Sequence, residues 1–265
     1  MTIGDKVTTP WIRRFKPTDT GYVRLVCFPH AGGSASYFNP VSARFSPGVD
    51  VVALQYPGRQ DRRNEPCVTD LGILADLITG ELLTLSDKPT VFFGHSMGAM
   101  LAFETAWRLE QKGIGEPRAL ILSGRRAPST VRDEAVHQRD DNGLIADLRL
   151  LNGTDSALMH DDEILRMALY SLRGDLEAVE TYVDAGHRVS CPITVFTGDS
   201  DPKTTVDEAR QWRKHTDGTC RVRVFPGGHF FLDSHRVLIN DEIAVELGKW
   251  PTLSATRGSR PGADH

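Results

Sequence analysis

The sequence predicts an α/β fold in which a mostly parallel central β-sheet is flanked by helices. Short β-branched or apolar runs recur along the chain, at 24–28, 49–55, 90–93, 119–122, 193–197 and 221–225. Most are almost continuously hydrophobic, which is typical of strands buried on both faces. Helical segments separate several of these runs. Because strands that alternate with helices form right-handed βαβ units, the sheet is expected to be mostly parallel.

The helical segments show apolar residues at a spacing of three to four. This periodicity predicts helices at 71–85 and at 99–109. Residues 129–189 break the alternation, because they contain helical patterns, such as those at 161–170 and 176–183, and no convincing strand. An amphipathic insertion of this length is expected to lie over the carboxyl edge of the sheet as a lid.

The length and composition suit one globular domain. The chain has 265 residues, of which 40% are hydrophobic and 25% are charged, which excludes a fibrous or disordered protein. We expect a single domain at 1–250, with the lid insertion at 129–189, followed by a disordered polar tail at 251–265.

Charge and cysteine usage exclude other classes. A net charge of -4 provides no overall positive field for nucleic acid. The chain has no bilayer-length apolar run and no signal-peptide pattern at its start. The four cysteines form no C-x-x-C pair and have no zinc-site spacing. We therefore expect a cytoplasmic protein with no metal, no nucleic-acid partner and no membrane partner. A monomer is also expected, although none of these patterns bears on the oligomeric state.

The most informative motif is G-H-S-M-G at 94–98, which matches G-x-S-x-G. It directly follows the apolar run at 90–93 and opens the helix at 99–109. This strand-turn-helix setting is that of the nucleophile elbow of α/β-hydrolases, in which a strained turn projects the serine above the sheet. Glycines are needed on both sides because strand and helix approach closely there. The sequence thus predicts an α/β-hydrolase fold with Ser96 as the nucleophile.

A serine hydroxyl needs a neighbouring base, which follows the nucleophile and the acid along the chain in this fold. Only His229 follows a predicted strand through a short glycine turn, at 226–228. His215 ends a predicted helix, where its charge is favourable, and His235 is a reserve candidate. A solvent-exposed role is expected for the remaining histidines of the lid, His137, His160 and His187.

The acid must come from the loop after the strand at 193–197. The sequence G-D-S-D-P at 198–202 offers both Asp199 and Asp201. Asp199 is placed to accept N-H groups of the turn, whereas Asp201 lies deeper in the loop. Spacing slightly favours Asp201 and leaves both open.

Two backbone N-H groups must stabilise the oxyanion that forms during acyl transfer. Met97, directly after the nucleophile, is expected to supply one. The loop F-P-H-A-G-G at 28–33 is expected to supply the other from Ala31, because small residues there let the backbone approach a carbonyl. His30 is expected to steady this loop; its position in the chain order argues against a role as the base.

With these motifs assembled, the chain resembles the stand-alone type II thioesterases of polyketide synthase and nonribosomal peptide synthetase pathways. The matching stretches, which run from about residue 23 to residue 232, are FPHAGGSASYF, ALQYPGRQDRR, FFGHSMGAMLAFETA, LILSGRRAP, FTGDSDP and FPGGHFFL. The lid matches only in size and helical character, so that no acyl preference can be carried over.

The resemblance implies that Ser96, Asp201 and His229 form a catalytic triad and that Met97 and Ala31 donate to the oxyanion. It also implies hydrolysis of aberrant or stalled acyl groups from the phosphopantetheine arm of acyl or peptidyl carrier proteins, or release of an intermediate. No cofactor is required by this acyl-enzyme mechanism.

Carrier proteins are generally acidic, so basic residues are expected around the entrance. The candidates for this docking role, equally explained as ordinary ion pairs, are Arg59, Arg62, Arg63, Arg125 and Arg126.

Two other functions use the same residues or the same fold. One is a carboxylesterase or lipase for small lipophilic esters. Comparing the rates of hydrolysis of matched oxoesters and thioesters would distinguish such an enzyme from a thioesterase. The other is a catalytically silent binding module, which an unreactive Ser96 would indicate.

Overall fold

The computed structural model describes residues 9–86, 88–152 and 162–250, and these form one seven-stranded sheet. Its strands are β1 (Ile12–Arg13), β2 (Val23–Phe28), β3 (Val49–Leu54), β4 (Thr90–His95), β5 (Ala119–Ser123), β6 (Ile193–Gly198) and β7 (Cys220–Phe225). The order across the sheet is β1-β3-β2-β4-β5-β6-β7. Among the strands of the described residues, only the β1–β3 pair is antiparallel. The mostly parallel sheet is confirmed.

All six predicted strands are present, as β2 to β7. β2 to β6 are buried on both faces, whereas β7 is an edge strand in which Arg221, Arg223 and Val224 are exposed. The strand β1 was not predicted. Its two residues are too few for a periodic pattern, and they are ordered by pairing with Leu54 and Ala53 of β3.

The helices are α1 (Asn39–Phe45), α2 (Leu71–Leu82), α3 (Met97–Lys112), α4 (Asp141–Asn152), α5 (Asp162–Glu180), α6 (Val206–Arg210), α7 (Phe231–Ser234) and α8 (Arg236–Leu247). Both predicted helices between strands are confirmed. α2 begins where the Asp70 carboxylate accepts the N-H of Ile73 at 2.8 Å, a cap that stabilises by about 1 kcal/mol. α3 ends at Gly113, whose left-handed φ of 63° suits a glycine.

The sheet separates two apolar clusters. Leu101 and Phe103 of α3 pack with Phe92 of β4 on one face. Phe93 of β4 packs with Ile239 of α8 on the other face. Each fully buried side chain of this size contributes about 1.5–3 kcal/mol. Since neighbouring residues of β4 point to opposite faces, this strand is held from both sides just before the G-H-S-M-G turn.

The insertion at 129–189 contains α4 and α5. The two separate patterns predicted at 161–170 and 176–183 are one continuous helix, α5. Val136, Leu144 and Leu172 belong to a third apolar cluster, which packs against Ala31 in the loop after β2. The insertion therefore contacts the carboxyl edge of the sheet. Its interior, 153–161, lies outside the described residues, as do the first eight residues and the tail at 251–265.

Across the part of the chain that the structure describes, none of the helices has both the length and the apolar character needed to cross a bilayer.

Candidate active site

Ser96 occupies a strained turn between β4 and α3. Its φ of 54° and ψ of -118° are unusual for a residue with a side chain. The backbone is held there because the Ser96 N-H donates to the carbonyl oxygen of Ser123 in β5 at 2.8 Å. The hydroxyl is thus presented at the carboxyl edge of the sheet, as the nucleophile elbow requires.

The two flanking glycines are required by the close approach of α3. A Cβ atom at Gly94 would lie 2.1 Å from the carbonyl oxygen of Gly98. A Cβ atom at Gly98 would lie 2.0 Å from the carbonyl oxygen of Phe28 and 2.6 Å from that of Pro29. Both distances are too short for a carbon atom. The second glycine brings the start of α3 against the loop after β2, where the second oxyanion donor was expected.

Three loops bring Ser96, His229 and Asp201 together. The Ser96 Oγ lies 3.0 Å from Nε2 of His229, and Nδ1 of the same ring lies 2.9 Å and 3.1 Å from the two carboxylate oxygens of Asp201. The His229 side chain is 3% exposed and that of Asp201 is fully buried. This chain of contacts is the one that a nucleophile, a base and an orienting acid require.

Asp199, the alternative acid, is in a different environment. It is exposed, and its Oδ1 accepts hydrogen bonds from the N-H of Gly227 at 2.9 Å and from the hydroxyl of Ser200 at 2.6 Å. These bonds hold the pKa of Asp199 below its usual value. The expectation that Asp199 accepts N-H groups of the turn is confirmed. In the described part of the chain, Asp199 makes no contact with His229.

The two expected oxyanion donors have free N-H groups. Among the described residues, no acceptor lies within hydrogen-bonding distance of the N-H of Met97 or of Ala31. Met97 is the first residue of α3, where an N-H has no partner within the helix. Both groups are therefore available to an incoming carbonyl oxygen.

Two further imidazoles lie beside His229. The ring centroid of His95 is 5.1 Å from that of His229, and that of His30 is 6.0 Å from that of His95. Burial lowers the pKa of His30 to about 3 and that of His95 well below its usual value. His30 also contacts Tyr37 and Phe230 edge-on. It packs the loop after β2, in agreement with its expected steadying role.

A cavity of about 600 Å³, including its opening to solvent, contains Ser96 and His229. Part of its wall is formed by apolar side chains of α4, α5 and the His229 loop, namely Leu144, Leu148, Leu151, Leu172, Leu176, Val179 and Phe230. Charged side chains also line it, namely Arg125, Glu134, Asp147, Glu180 and Lys203. The apolar part of the wall suits a substrate with an aliphatic or acyl portion.

Comparison with known proteins gives the family. The family model described as Thioesterase domain matches residues 23–247. The chain belongs to the thioesterase family. A probable cadicidin biosynthesis thioesterase of Streptomyces griseus is 62% identical to this thioesterase over 93% of the chain and 68% of its own length. The thioesterase PikA5 of Streptomyces venezuelae is 46% identical over 90% of the chain and 87% of its own length.

A solved structure agrees with this assignment. The type II thioesterase BorB from the borrelidin biosynthetic cluster has a TM-score of 0.86 to this thioesterase, with 47% identity, and covers 91% of this chain and 98% of its own. The predicted α/β-hydrolase fold and the predicted family are therefore confirmed.

The expected docking role of Arg59, Arg125 and Arg126 is not supported, because the thioesterase buries all three side chains. Arg59 is 6% exposed, Arg125 9% and Arg126 4%. Arg126 pairs with Glu134 at 2.6 Å. Burial lowers the pKa of Arg125 to about 10. An enclosed guanidinium presents little of its charge to a protein partner, so the burial of these residues argues against a docking role.

Arg62 is also buried and pairs with Glu65 at 2.5 Å, whereas Arg63 is exposed. Of the five arginines considered for docking, Arg63 alone presents an exposed side chain.

The histidines expected at the surface are partly buried instead. Nδ1 of His137 lies 2.5 Å from the buried carboxylate of Glu180. His187 stacks on Trp107 with 3.5 Å between ring centroids. The surface expectation was wrong for both, because His137 pairs with Glu180 of α5 within the insertion and His187 packs against Trp107 of α3. His160 lies outside the described residues.

His215 ends the short 3-10 helix Gln211–His215, in agreement with its predicted place at a helix end, but its side chain is buried. It is 3% exposed, and its ring contacts the hydroxyl of Ser129 at 2.9 Å and the carbonyl oxygen of His187 at 3.1 Å. It therefore joins the two ends of the insertion. His235, the reserve base, lies between α7 and α8, and His229 occupies the position beside Ser96.

One buried charged residue near the site was missed. Asp175 of α5 is 1% exposed and pairs with Arg59. The sequence contained a signal for it, since Asp175 lies at helical spacing from the apolar Leu172 and Val179 and so places a carboxylate on the buried face of α5.

No group of three or more His, Cys, Asp or Glu side chains within residues 9–86, 88–152 and 162–250 has the arrangement of a metal site.

Proposed function

We propose that this thioesterase hydrolyses acyl groups from the phosphopantetheine arm of acyl or peptidyl carrier proteins in secondary-metabolite biosynthesis, with Ser96, His229 and Asp201 as its catalytic triad. The observation that carries the proposal is the continuous contact from the Ser96 hydroxyl through the His229 ring to the Asp201 carboxylate, at 3.0 Å and 2.9 Å. The similarity to thioesterases of biosynthetic pathways supports the choice of substrate.

Acylation begins when His229 Nε2 takes the proton of the Ser96 hydroxyl while the oxygen attacks the thioester carbonyl carbon. The Asp201 carboxylate keeps the other ring nitrogen protonated and stabilises the imidazolium that forms. When the tetrahedral intermediate collapses, the carbon–sulfur bond breaks and the imidazolium protonates the leaving thiolate. A thiol has a pKa near 8.5, so its departure needs less acid assistance than that of an alcohol.

Deacylation uses the same groups. His229 takes a proton from water, the hydroxide attacks the acyl-serine ester, and the imidazolium returns a proton to Ser96 as the carboxylic acid leaves. In both tetrahedral intermediates, the negative oxygen would accept hydrogen bonds from the N-H groups of Met97 and Ala31.

The setting of the reaction is also part of the proposal. All four cysteines are free thiols, which supports action in the reducing cytoplasm. The proposed acting form is a monomer of one domain, 1–250, with the insertion at 129–189 as its lid. Cell fractionation and sedimentation of the purified protein test these points.

The decisive experiment loads a panel of carrier proteins with acetyl, propionyl, malonyl and longer acyl groups and follows release of the acid over time. Wild-type protein is expected to release acid and to react with a fluorophosphonate at Ser96, and Ser96→Ala is expected to do neither. A uniform slow profile would indicate removal of stalled groups, whereas one strong preference would indicate a dedicated release step.

Two outcomes contradict the proposal. Faster turnover of matched oxoesters than of thioesters would indicate a carboxylesterase. Undiminished release by Ser96→Ala, or a wild-type serine that the probe does not label, would exclude the triad mechanism.

A further inference from the structure

The carboxylate of Asp175 is the meeting point of the lid helix α5 and the loop after β2. Its Oδ2 accepts a hydrogen bond from the N-H of Gly32 at 2.8 Å. The same oxygen lies 2.6 Å from Nη1 of Arg59, and Oδ1 lies 2.7 Å from Nη2. The side chains of Asp175 and Arg59 are only 1% and 5% exposed. One buried carboxylate thus binds both a guanidinium and the backbone next to Ala31.

Arg59 extends this contact to the other side of the loop. Its Nη1 also donates to the carbonyl oxygen of Gly33 at 2.9 Å. Its guanidinium lies over the ring of Tyr56, 5.2 Å from the centroid, and the Tyr56 hydroxyl donates to the carbonyl oxygen of Pro29 at 3.3 Å. Three backbone atoms that flank Ala31 are therefore fixed by buried side chains, whereas the N-H of Ala31 itself has no acceptor among the described residues.

The backbone at Gly32 is suited to this contact. Its φ of 73° is in the left-handed region, and a Cβ atom there would lie 3.3 Å from the Leu172 side chain of α5. Glycine therefore lets the loop pass close beneath the helix, with its N-H directed at Asp175. On the opposite side, the start of α3 at Gly98 presses against Pro29. The loop is held between the nucleophile helix and the lid helix.

From this geometry we propose that Asp175 is a positioning residue for the reaction: it fixes the Gly32 N-H and so directs the neighbouring Ala31 N-H at the carbonyl oxygen of the substrate. The lid helix is then a structural part of the oxyanion hole as well as a wall of the acyl cavity. This inference rests on the proposed function, because it assumes that the Ala31 N-H stabilises the oxyanion.

The chemistry of the pair agrees with a positioning role. A buried ion pair adds little net stability compared with apolar residues of the same shape, so stability alone does not account for it. A carboxylate holds an N-H group more strongly than a neutral acceptor does, and it fixes the direction of that group. Oxyanion stabilisation depends on such fixed directions, since donors that must reorient during the reaction lose most of their effect.

The first test compares Asp175→Asn with the wild-type enzyme on one acyl-carrier substrate. The variant keeps the shape of the side chain but removes its charge. We expect kcat to fall by about 10- to 100-fold while KM changes little, because the hydrogen bond to the oxyanion is made mainly in the transition state. Affinity for an alkyl boronic acid, which forms a tetrahedral adduct with the serine, is expected to fall in parallel with kcat/KM.

The second test separates positioning from stability. Arg59→Met/Asp175→Leu replaces the ion pair with apolar side chains and leaves no unpaired buried charge, so its Tm is expected to exceed that of Asp175→Asn. Its kcat is expected to remain low, because the Gly32 N-H still has no carboxylate acceptor at position 175. If Asp175→Asn does not fold, this double variant alone decides between the two roles.

A matched control is Asp50→Asn at the opposite edge of the sheet. Asp50 is also buried and also pairs with arginines, namely Arg14 at 3.0 Å and Arg24 at 2.9 Å. Its replacement is expected to lower Tm and to leave kcat unchanged. The proposal is overturned if Asp175→Asn retains wild-type kcat, or if the double variant regains kcat together with Tm.

The two proposals fail differently. Failure of the proposed function appears in the wild-type protein, as absence of thioester hydrolysis or of fluorophosphonate labelling. Failure of the positioning role appears only in the comparison of variants of an active enzyme.

Discussion

Oδ1 of Asp199 accepts a hydrogen bond from the N-H of Gly227 at 2.9 Å, and this contact ties the loop after β6 to the loop that carries His229. The Ser200 N-H donates to the carbonyl oxygen of Gly227 at 3.0 Å and strengthens the connection. A Cβ atom at Gly198 would lie 2.3 Å from that same oxygen, so the two loops meet closely only because residue 198 is glycine. The acid and the base of the candidate triad are therefore held together by backbone contacts beside them.

Asp201→Asn is expected to reduce kcat by about 10³- to 10⁴-fold, because an amide no longer enforces the required tautomer of His229 or stabilises its charged form. The measurement is steady-state release from a loaded carrier protein, with Tm recorded for the same sample. A wild-type kcat in a folded variant would exclude Asp201 as the acid.

Asp199→Ala is expected to lower kcat only severalfold. Asp199 does not contact His229, and its loss loosens the His229 loop without changing the protonation of the ring. The same assay as for Asp201→Asn gives the comparison. A loss as large as that of Asp201→Asn would instead assign the orienting role to Asp199.

Gly98→Ala is expected to prevent folding or to lower Tm strongly. The added carbon would overlap the carbonyl oxygen of Phe28 at 2.0 Å, and the nearest atoms are all backbone atoms of Phe28 and Pro29, which cannot move aside as a flexible side chain would. Thermal unfolding followed by circular dichroism measures the effect.

Gly80→Ala in α2 is the matched control, because no described atom outside its chain neighbours and the adjacent backbone of its own helix lies within 4 Å of its new Cβ. Removal of a helical glycine is expected to stabilise by about 0.5–1 kcal/mol. A Gly98→Ala protein as stable as this control would contradict the close approach of α3 to the loop after β2.

The free energy of unfolding is expected to decrease as the pH is lowered below about 6.5, because His30 is buried in its neutral form. Its pKa is lowered to about 3 in the folded protein, primarily by burial and then by the charges of His229 and Arg59. Between these two pH values the unfolded chain binds a proton that the folded chain does not. The free energy of unfolding must therefore decrease as the pH falls through this range.

The corresponding variant is His30→Gln, in which the pH dependence of Tm between pH 6.5 and pH 4 is expected to be shallower than in the wild type. The slopes of Tm against pH are compared between the proteins. A loss of packing that lowers Tm equally at every pH therefore does not affect the result. His235→Gln, outside the buried imidazole cluster, serves as the control. Equal slopes in all three proteins would show that His30 does not contribute.

Arg126→Glu is expected to reduce turnover of a carrier-bound substrate and of a small thioester mimic by the same factor, with a lower Tm. The substitution removes the pair with Glu134 and buries a second carboxylate beside it. Relative rates on the two substrates give the measurement. A selective loss with the carrier substrate would restore the docking role that the burial of Arg126 argues against.

The sequence predicted the features that depend on local pattern. Strands buried on both faces have continuous apolar runs, and a strand-turn-helix serine motif needs its glycines, so β2 to β6 and Ser96 could be identified directly. His229 could be identified because it alone follows a strand through a glycine turn. The two-residue strand β1 has no such pattern, and its order depends on its partner β3.

By itself, the amino-acid sequence determined the α/β class, the glycine-flanked serine turn and the family, and it predicted the proposed base, since each is encoded by residues that are close together along the chain. Only the tertiary structure decided which aspartate contacts His229, that four of the five arginines of the docking hypothesis are buried, and that Asp175 of α5 contacts the loop after β2. These depend on contacts between residues far apart in the chain, such as Gly32 with Asp175 at 2.8 Å. The role of a charged residue depends on which partners the folded chain places beside it, and residues distant in the sequence supply those partners.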